Sequence, residues 1–246
     1  MIFENLEKKR KKIGALSLAL IDPDLKNDKK LLQIINNINQ SNFDAILVGG
    51  SKIKDNNFKN RLKTIKSTTK LPIILFPGSS SQVSDSADAI LFISLLSGRN
   101  VKYLIEEQVK ASRYIYKHNL EVIPTGYLLF STDKKSSVQK ISKTEPLNMN
   151  NTKEIISHAL AAQYLGKKIL FLEAGSNSNY SIDISVIKKI HSLLNIPIMV
   201  GGGIKNKKTA DNIINAGASY IVIGTLLEEC NDINFLKEIN KTIHGF

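Results

Sequence analysis

Two carboxylates at the ends of apolar runs carry the most chemistry in this sequence. Glu173 closes the run Lys168 to Leu172, where a charge is costly unless it is used or paired. It is placed to orient or deprotonate a hydroxyl; a structural ion pair with a lysine is the alternative reading. Asp22 closes the run Ala15 to Ile21, and Ser51 follows Gly49-Gly50 at the end of Ala45 to Val48. One carboxylate and one hydroxyl suit a hard cation such as Mg²⁺, which takes one or two protein oxygens and completes its shell with water and phosphate. Asp22 ahead of Pro23 is equally consistent with an ordinary turn residue.

Glycine loops supply the partner for such chemistry. Ile198 to Leu227 reads as strand (Ile198 to Val200), glycine turn (Gly201 to Gly203), helix (Thr209 to Ala216), strand (Tyr220 to Ile223) and a second turn at Gly224-Thr225. This is a βαβ unit with both loops at strand C-terminal ends. Bare glycine backbone approaches a phosphate closely, and a helix N-terminus favours its charge. Gly175-Ser176-Asn177, beside Glu173, adds backbone N–H and a hydroxyl, making an anion cradle.

Further strands are expected at Pro72 to Phe76 and Ala89 to Ile93, and one beginning at Glu121 with Pro124-Thr125-Gly126-Tyr127 at its end. Helices fall between them: Leu31 to Ile38, capped by Asn27 or Asp28; one running to Lys66; Val101 to Lys117, with Leu104, Ile105, Val109 and Ile115 apolar; Thr152 to Leu165; Asp183 to Leu194; and Ile233 to Ile243. The alternation predicts a closed (β/α)8 barrel, one domain over residues 1–246, with a doubly wound open sheet as runner-up. Gly78 to Asp88 (GSSSQVSDSAD) is too short and polar for a crossover helix. The helix between strands 3 and 4 is therefore expected to be reduced or missing. Ser131 to Asn150, with Lys134-Lys135 and Pro146, is a long polar segment expected as a lid or a disordered loop.

Composition narrows the class. Of 246 residues 42% are hydrophobic, enough for a sizeable core, and the formal net charge is +12. The lysines are scattered and no nucleic-acid motif appears, so the charge is read as solvated helix faces, with Lys8 to Lys12 one of them. No nucleic-acid partner is expected, although anionic lipid and phosphorylated substrates would be attracted. The single Cys230 fits a reducing compartment, and the N-terminus lacks an apolar signal core. A cytoplasmic protein is expected. The four histidines fall on predicted helices and are read as packing or surface residues.

Taken in order, Leu20 to Asp24, Val48 to Ser51, Phe76-Pro77-Gly78, Pro124 to Tyr127, Leu172 to Ser176, Val200 to Ile204 and Gly224-Thr225 resemble the geranylgeranylglyceryl phosphate synthase family, which includes the bacterial heptaprenylglyceryl phosphate synthases. The resemblance spans essentially the whole chain. It implies a prenyltransferase that joins the 3-hydroxyl of sn-glycerol 1-phosphate to C1 of a polyprenyl diphosphate with Mg²⁺. By the same resemblance Asp22 and Ser51 would hold the metal, and Glu173 would hold and deprotonate the glycerol. Phe171, Leu172, Glu173, Ala174, Gly175, Ser176, Asn177, Gly202, Gly203, Gly224 and Thr225 would bind glycerol phosphate. A homo-oligomer, transient contact with a membrane surface and an exit for the prenyl tail at the gap after strand 3 are further implications.

Three positions depart from the family pattern. Phe171 stands where many members carry Tyr, and Asn177 stands where Gly is usual, though Asn tolerates a left-handed backbone. Leu20 replaces the Lys of one branch, which points to the geranylgeranyl-using branch. The rival readings are another phosphate-binding barrel enzyme, such as a sugar-phosphate isomerase or epimerase, and a non-enzymatic anion-binding scaffold.

Overall fold

Runs of β-branched and aliphatic residues bounded by glycine and proline become strands because they bury both faces. The computed structural model, which describes residues 1–246 except Lys52, Lys54, Lys134, Asn177 and Phe246, has eight of them closed into a barrel in chain order. They are β1 (Leu16–Ile21), β2 (Ala45–Val48), β3 (Ile73–Leu75), β4 (Ala89–Leu95), β5 (Glu121–Leu129), β6 (Ile169–Glu173), β7 (Ile198–Gly201) and β8 (Tyr220–Ile223). Every neighbouring pair is parallel, including β1 with β8, where Leu16 faces Tyr220.

Strand alternation separates two cores. Leu18, Leu47, Ile74, Leu91, Ile123, Phe171, Met199 and Val222 fill the barrel interior. Ile46, Leu170, Val200 and Ile221 point outward and meet the helices. Each fully buried Leu or Ile contributes about 1.5–3 kcal/mol of transfer free energy.

The helices are α1 (Ile2–Ile13), α2 (Leu31–Gln40), α3 (Phe58–Thr68), α4 (Glu107–Lys117), α5 (Ser137–Ser142), α6 (Thr152–Tyr164), α7 (Ile184–His191), α8 (Lys207–Asn215), α9 (Thr225–Glu229) and α10 (Ile233–Ile243). The N-terminal charge run belongs to α1, which closes the barrel floor. Its Leu6 joins the inner core, and Tyr220 donates its hydroxyl to Glu7 Oε1 at 2.5 Å.

Several sequence expectations change. Neither Asn27 nor Asp28 caps α2, whose first turn has no side-chain cap. Asn27 is buried instead and donates to the Asp22 carbonyl at 2.8 Å, while Asp28 pairs with Arg61. β5 does not stop near Pro124; it continues to Leu129, so Tyr127 lies in the barrel wall. Proline removes only one ladder donor, and the Pro124 carbonyl still accepts from Lys168 N–H at 2.7 Å. The Val101–Lys117 helix opens with a π turn over Lys102–Glu106, and Ile105 and Val109 are exposed. Its buried face is Gln108, Ala111 and Ile115.

The gap between β3 and β4 is as expected. Only a 3₁₀ turn, Ser80–Gln82, stands where a crossover helix would cover the outer face of β4. The long segment after β5 is ordered where described. Its Leu147 pairs with Phe130, α5 forms within it, and Asp133 accepts from Asn179 Nδ2 at 2.7 Å.

Candidate active site

The C-terminal ends of the strands open into one cavity of about 510 Å³. Glu173, the last residue of β6, faces inward above Phe171 and is 7% exposed. Phe171, Phe76 and Tyr127 form an aromatic floor, with Phe171 ring centroids 5.3 and 5.2 Å from the other two. Burial raises the Glu173 carboxyl to about 7, and the one opposing contact is a 2.7 Å hydrogen bond from Gly175 N–H to Oε1. Burial also pushes the Tyr127 phenol up, with the Glu173 charge adding to it. The ion-pair alternative for Glu173 finds no lysine or arginine partner among the described residues.

Glycine makes room for this carboxylate. A side chain at Gly202, whose φ is +84°, would place its Cβ 2.8 Å from Glu173 Oε1; one at Gly201 would meet Oε2 at 3.0 Å. Gly175, at φ +93°, similarly lies against Ser136, the residue capping α5. α5 thereby lies over the β6 loop, and Val138, Lys140 and Ile141 face the cavity from above.

The second carboxylate sits across the mouth. Asp22 follows β1, and a Cβ on Gly50 would come within 2.5 Å of its Oδ1. The Asp22 carboxylate therefore rests against the β2 loop that carries Ser51. Oδ1 is buried and has no hydrogen-bond partner among the described residues, whereas Oδ2 lies 3.3 Å from Lys26 Nζ. Burial raises the Asp22 carboxyl, against the lowering effect of Lys26.

Mg²⁺ fits this arrangement. Among the described residues the cavity wall carries Asp22, Asp24, Glu107, Glu173 and Glu228 beside Lys26 and Lys140, and a cation among these acids would offset the charge of a phosphorylated ligand. Among the described residues no cluster of three His, Cys, Asp or Glu makes a protein-only cage. A cation here relies on phosphate and water for most of its shell, as Mg²⁺ commonly does.

The structure brings Asp22, Ser51, Glu173, Gly175, Ser176, Gly202, Gly224 and Thr225 to the cavity wall. Others in the expected glycerol-phosphate set lie elsewhere. Phe171 is fully buried below Glu173, and Leu172 and Ala174 point outward into the helix-facing core. Their side chains do not line the cavity. Gly203 packs on the Tyr180–Ser181 backbone, and Asn177 lies outside the described residues. The histidines sit away from the cavity: His118 stacks on Tyr114 and His244 contacts Asp44 at 2.9 Å.

Three polar residues escaped the sequence reading because their role is long-range. Gln82 is buried; its Oε1 accepts from Gly50 N–H at 3.3 Å and Gly78 N–H at 3.1 Å, and its Nε2 donates to Gly50 O at 2.8 Å. One amide thus fixes the Ser51 loop against the β3 loop. Arg61, also buried, donates to the Pro23 carbonyl at 3.1 Å and to Asp55 at 2.6 Å, tying the loops that follow β1 and β2. Glu228 of α9 accepts from Lys26 at 3.0 Å and Asn27 at 2.9 Å.

The cavity has a second, apolar arm. It leaves the barrel mouth past Leu95 and Tyr103 and reaches Val83, Ile90, Phe92 and Ala111. Ile90 belongs to the helix-facing core, with Phe92 packed against it, so this arm passes over the barrel rim onto the uncovered outer face of β4.

Fold and site together define a (β/α)8-barrel protein with a polar, glycine-lined mouth and an apolar side channel. Residues 7–243 match the PcrB family, and the chain belongs to that family. It is 44% identical over 226 residues to a geranylgeranylglyceryl phosphate synthase of Flavobacterium johnsoniae, covering 92% of each chain. The enzyme of that name from Methanosphaera stadtmanae is 36% identical over 245 residues, covering 99% of this chain and all of the other. The crystal structure of (S)-3-O-geranylgeranylglyceryl phosphate synthase from Thermoplasma acidophilum, in complex with its substrate sn-glycerol-1-phosphate, superposes with a TM-score of 0.90. It is 35% identical, and 98% of each chain is covered.

The raised Glu173 carboxyl predicts a pH signature in stability. The folded chain keeps this proton up to about pH 7, whereas the unfolded chain releases it near 4.5. Between those values the folded state binds more protons, so stability falls as pH rises, by on the order of 3 kcal/mol across the window. Glu173→Gln removes that penalty. In urea titrations the variant should match the parent at pH 4.5 and exceed it at pH 8. The same pH slope in both proteins would contradict the burial assigned to this carboxylate.

Proposed function

We propose that this chain is a geranylgeranylglyceryl phosphate synthase. It joins the 3-hydroxyl of sn-glycerol 1-phosphate to C1 of geranylgeranyl diphosphate, with Mg²⁺. The observation that carries this reading is the continuity of one cavity from the polar mouth, with Glu173 and Asp22, to the apolar arm over β4. A sugar-phosphate enzyme has no use for such an arm. The prenyltransferase relatives give the reading independent support.

Each part of the wall has a task. Gly175, Ser176, Gly202, Gly224 and Thr225 form the side of the mouth that receives the glycerol phosphate. Glu173 sits at the inner rim, and near pH 7 its carboxylate is basic enough to take the hydroxyl proton. The glycerol oxygen then bonds to C1, and the C1–oxygen bond to diphosphate breaks, its electron pair leaving with diphosphate. Asp22 and Ser51 would hold Mg²⁺, which would supply positive charge to the leaving diphosphate. Val83, Ile90, Phe92 and Ala111 take the prenyl tail out of water. Leu20, at the mouth, leaves no lysine two residues before Asp22, in keeping with a geranylgeranyl donor.

Mass spectrometry of products tests this directly. With Mg²⁺, sn-glycerol 1-phosphate and a mixture of C15, C20 and longer prenyl diphosphates, the expected product is the C20 ether; sn-glycerol 3-phosphate should give none. No ether from any donor would overturn the proposal. Asp22→Ala should lower turnover at least about a hundred-fold, the scale on which a lost charge-stabilising group acts. Unchanged turnover would remove the metal role from Asp22.

A further inference from the structure

The outer wall beside the missing helix is two-sided in a way the site does not use. The helix formed by the π turn and α4 turns a second apolar face to the outside. Val101, Ile105, Val109 and Tyr116 are 55, 52, 64 and 86% exposed. Their spacing of four, four and seven residues places them on one stripe along the helix. Lys102, Lys110, Arg113 and Lys117 flank the stripe and are exposed.

Across the gap, α3 presents a row of lysines. Lys59 and Lys63 are exposed, and Lys66, on the same face, reaches Asp88 at 2.5 Å at the foot of β4. That contact turns the lysine face toward the gap. Between the row and the stripe lies the 3₁₀ turn, beneath which the apolar arm reaches β4. The exposed acids on this wall, among the described residues, are Glu106 and Asp85, and Asp85 lies 3.3 Å from His118.

An apolar stripe alone names no occupant. A stripe bordered by cations, facing a lysine row across an apolar opening, matches a surface that is both apolar and anionic. A second copy of this chain is a poorer fit, because each copy carries a net charge of +12 and a two-fold contact through the stripe would set its flanking cations, Lys102, Lys110, Arg113 and Lys117, against the same cations of the other copy. We propose that α3, the gap and α4 form a docking face for an anionic phospholipid bilayer. A prenyl chain then passes between bilayer and cavity through the gap; this last step rests on the prenyltransferase reading, whereas docking does not.

Vesicle co-sedimentation of the full chain without substrate tests the face. The protein should sediment with phosphatidylglycerol-containing vesicles, stay in solution with pure phosphatidylcholine, and be released by added salt. V101S/I105S/V109S and K59E/K63E should each lower partition into the anionic vesicles about ten-fold or more. Both should keep the parent's melting temperature and its turnover of a water-soluble short-chain prenyl diphosphate. Failure of the parent to bind anionic vesicles, or variants that bind as the parent does, would overturn the proposal. So would a triple serine variant that binds vesicles normally while light scattering shows a dimer reduced to monomer, since the face would then belong to a second copy. Vesicle binding without any ether product would leave docking standing and remove the prenyl reading alone.

Discussion

An inner strand of a closed barrel is stable only when its outer face is covered, and β4 is left partly uncovered by its own sequence. Gly78 to Asp88 cannot form a packed crossover helix, so Ile90 and Phe92 meet a cavity where their counterparts in other strands meet a helix. Neighbouring features fall around that deficit. The π turn and α4 form one wall of the arm, and Glu107 Oε2 accepts from Ser80 N–H at 2.6 Å, holding the 3₁₀ turn to that wall. Gln82, in the same turn, fixes the loops that follow β2 and β3 at the cavity mouth.

The polar end is governed by a different shortage. Among the described residues this end holds Asp22, Asp24, Glu173 and Glu228 beside Lys26 and Lys140, and two phosphorylated ligands would add negative charge. The exposed surface, by contrast, is strongly basic. On the proposed reading a divalent cation would join these acids, and the buried Asp22 Oδ1, without a hydrogen-bond partner among the described residues, would be one of its ligands. Glu173 escapes that pairing. It is held by glycines and one N–H donor above an aromatic floor, and so stays a basic carboxylate.

Much of this was legible in the sequence because it is written locally. Strand alternation, glycine loops and the short polar linker gave the barrel, its missing helix and the two carboxylates. Local patterns carried less information where residues act across the fold. Phe171, Leu172 and Ala174 sit in a motif with Glu173, but strand alternation sends two outward and buries the third. Of the apolar positions read along Val101 to Lys117, Ile115 is buried, whereas Ile105 and Val109 stand in solvent beside the π turn. Gln82 and Arg61 bond to loops distant in sequence or to backbone carbonyls, and no spacing rule announces either.

The central claim is that the tail of the donor lies in the arm over β4. Ala111, buried on α4 beside Ile90 and Phe92, allows a direct test, because Ala111→Trp would fill the arm without touching the polar mouth. Isothermal titration of the variant should show sn-glycerol 1-phosphate binding as in the parent and geranylgeranyl diphosphate binding lost. Undiminished binding of geranylgeranyl diphosphate by a folded Trp variant would contradict the account.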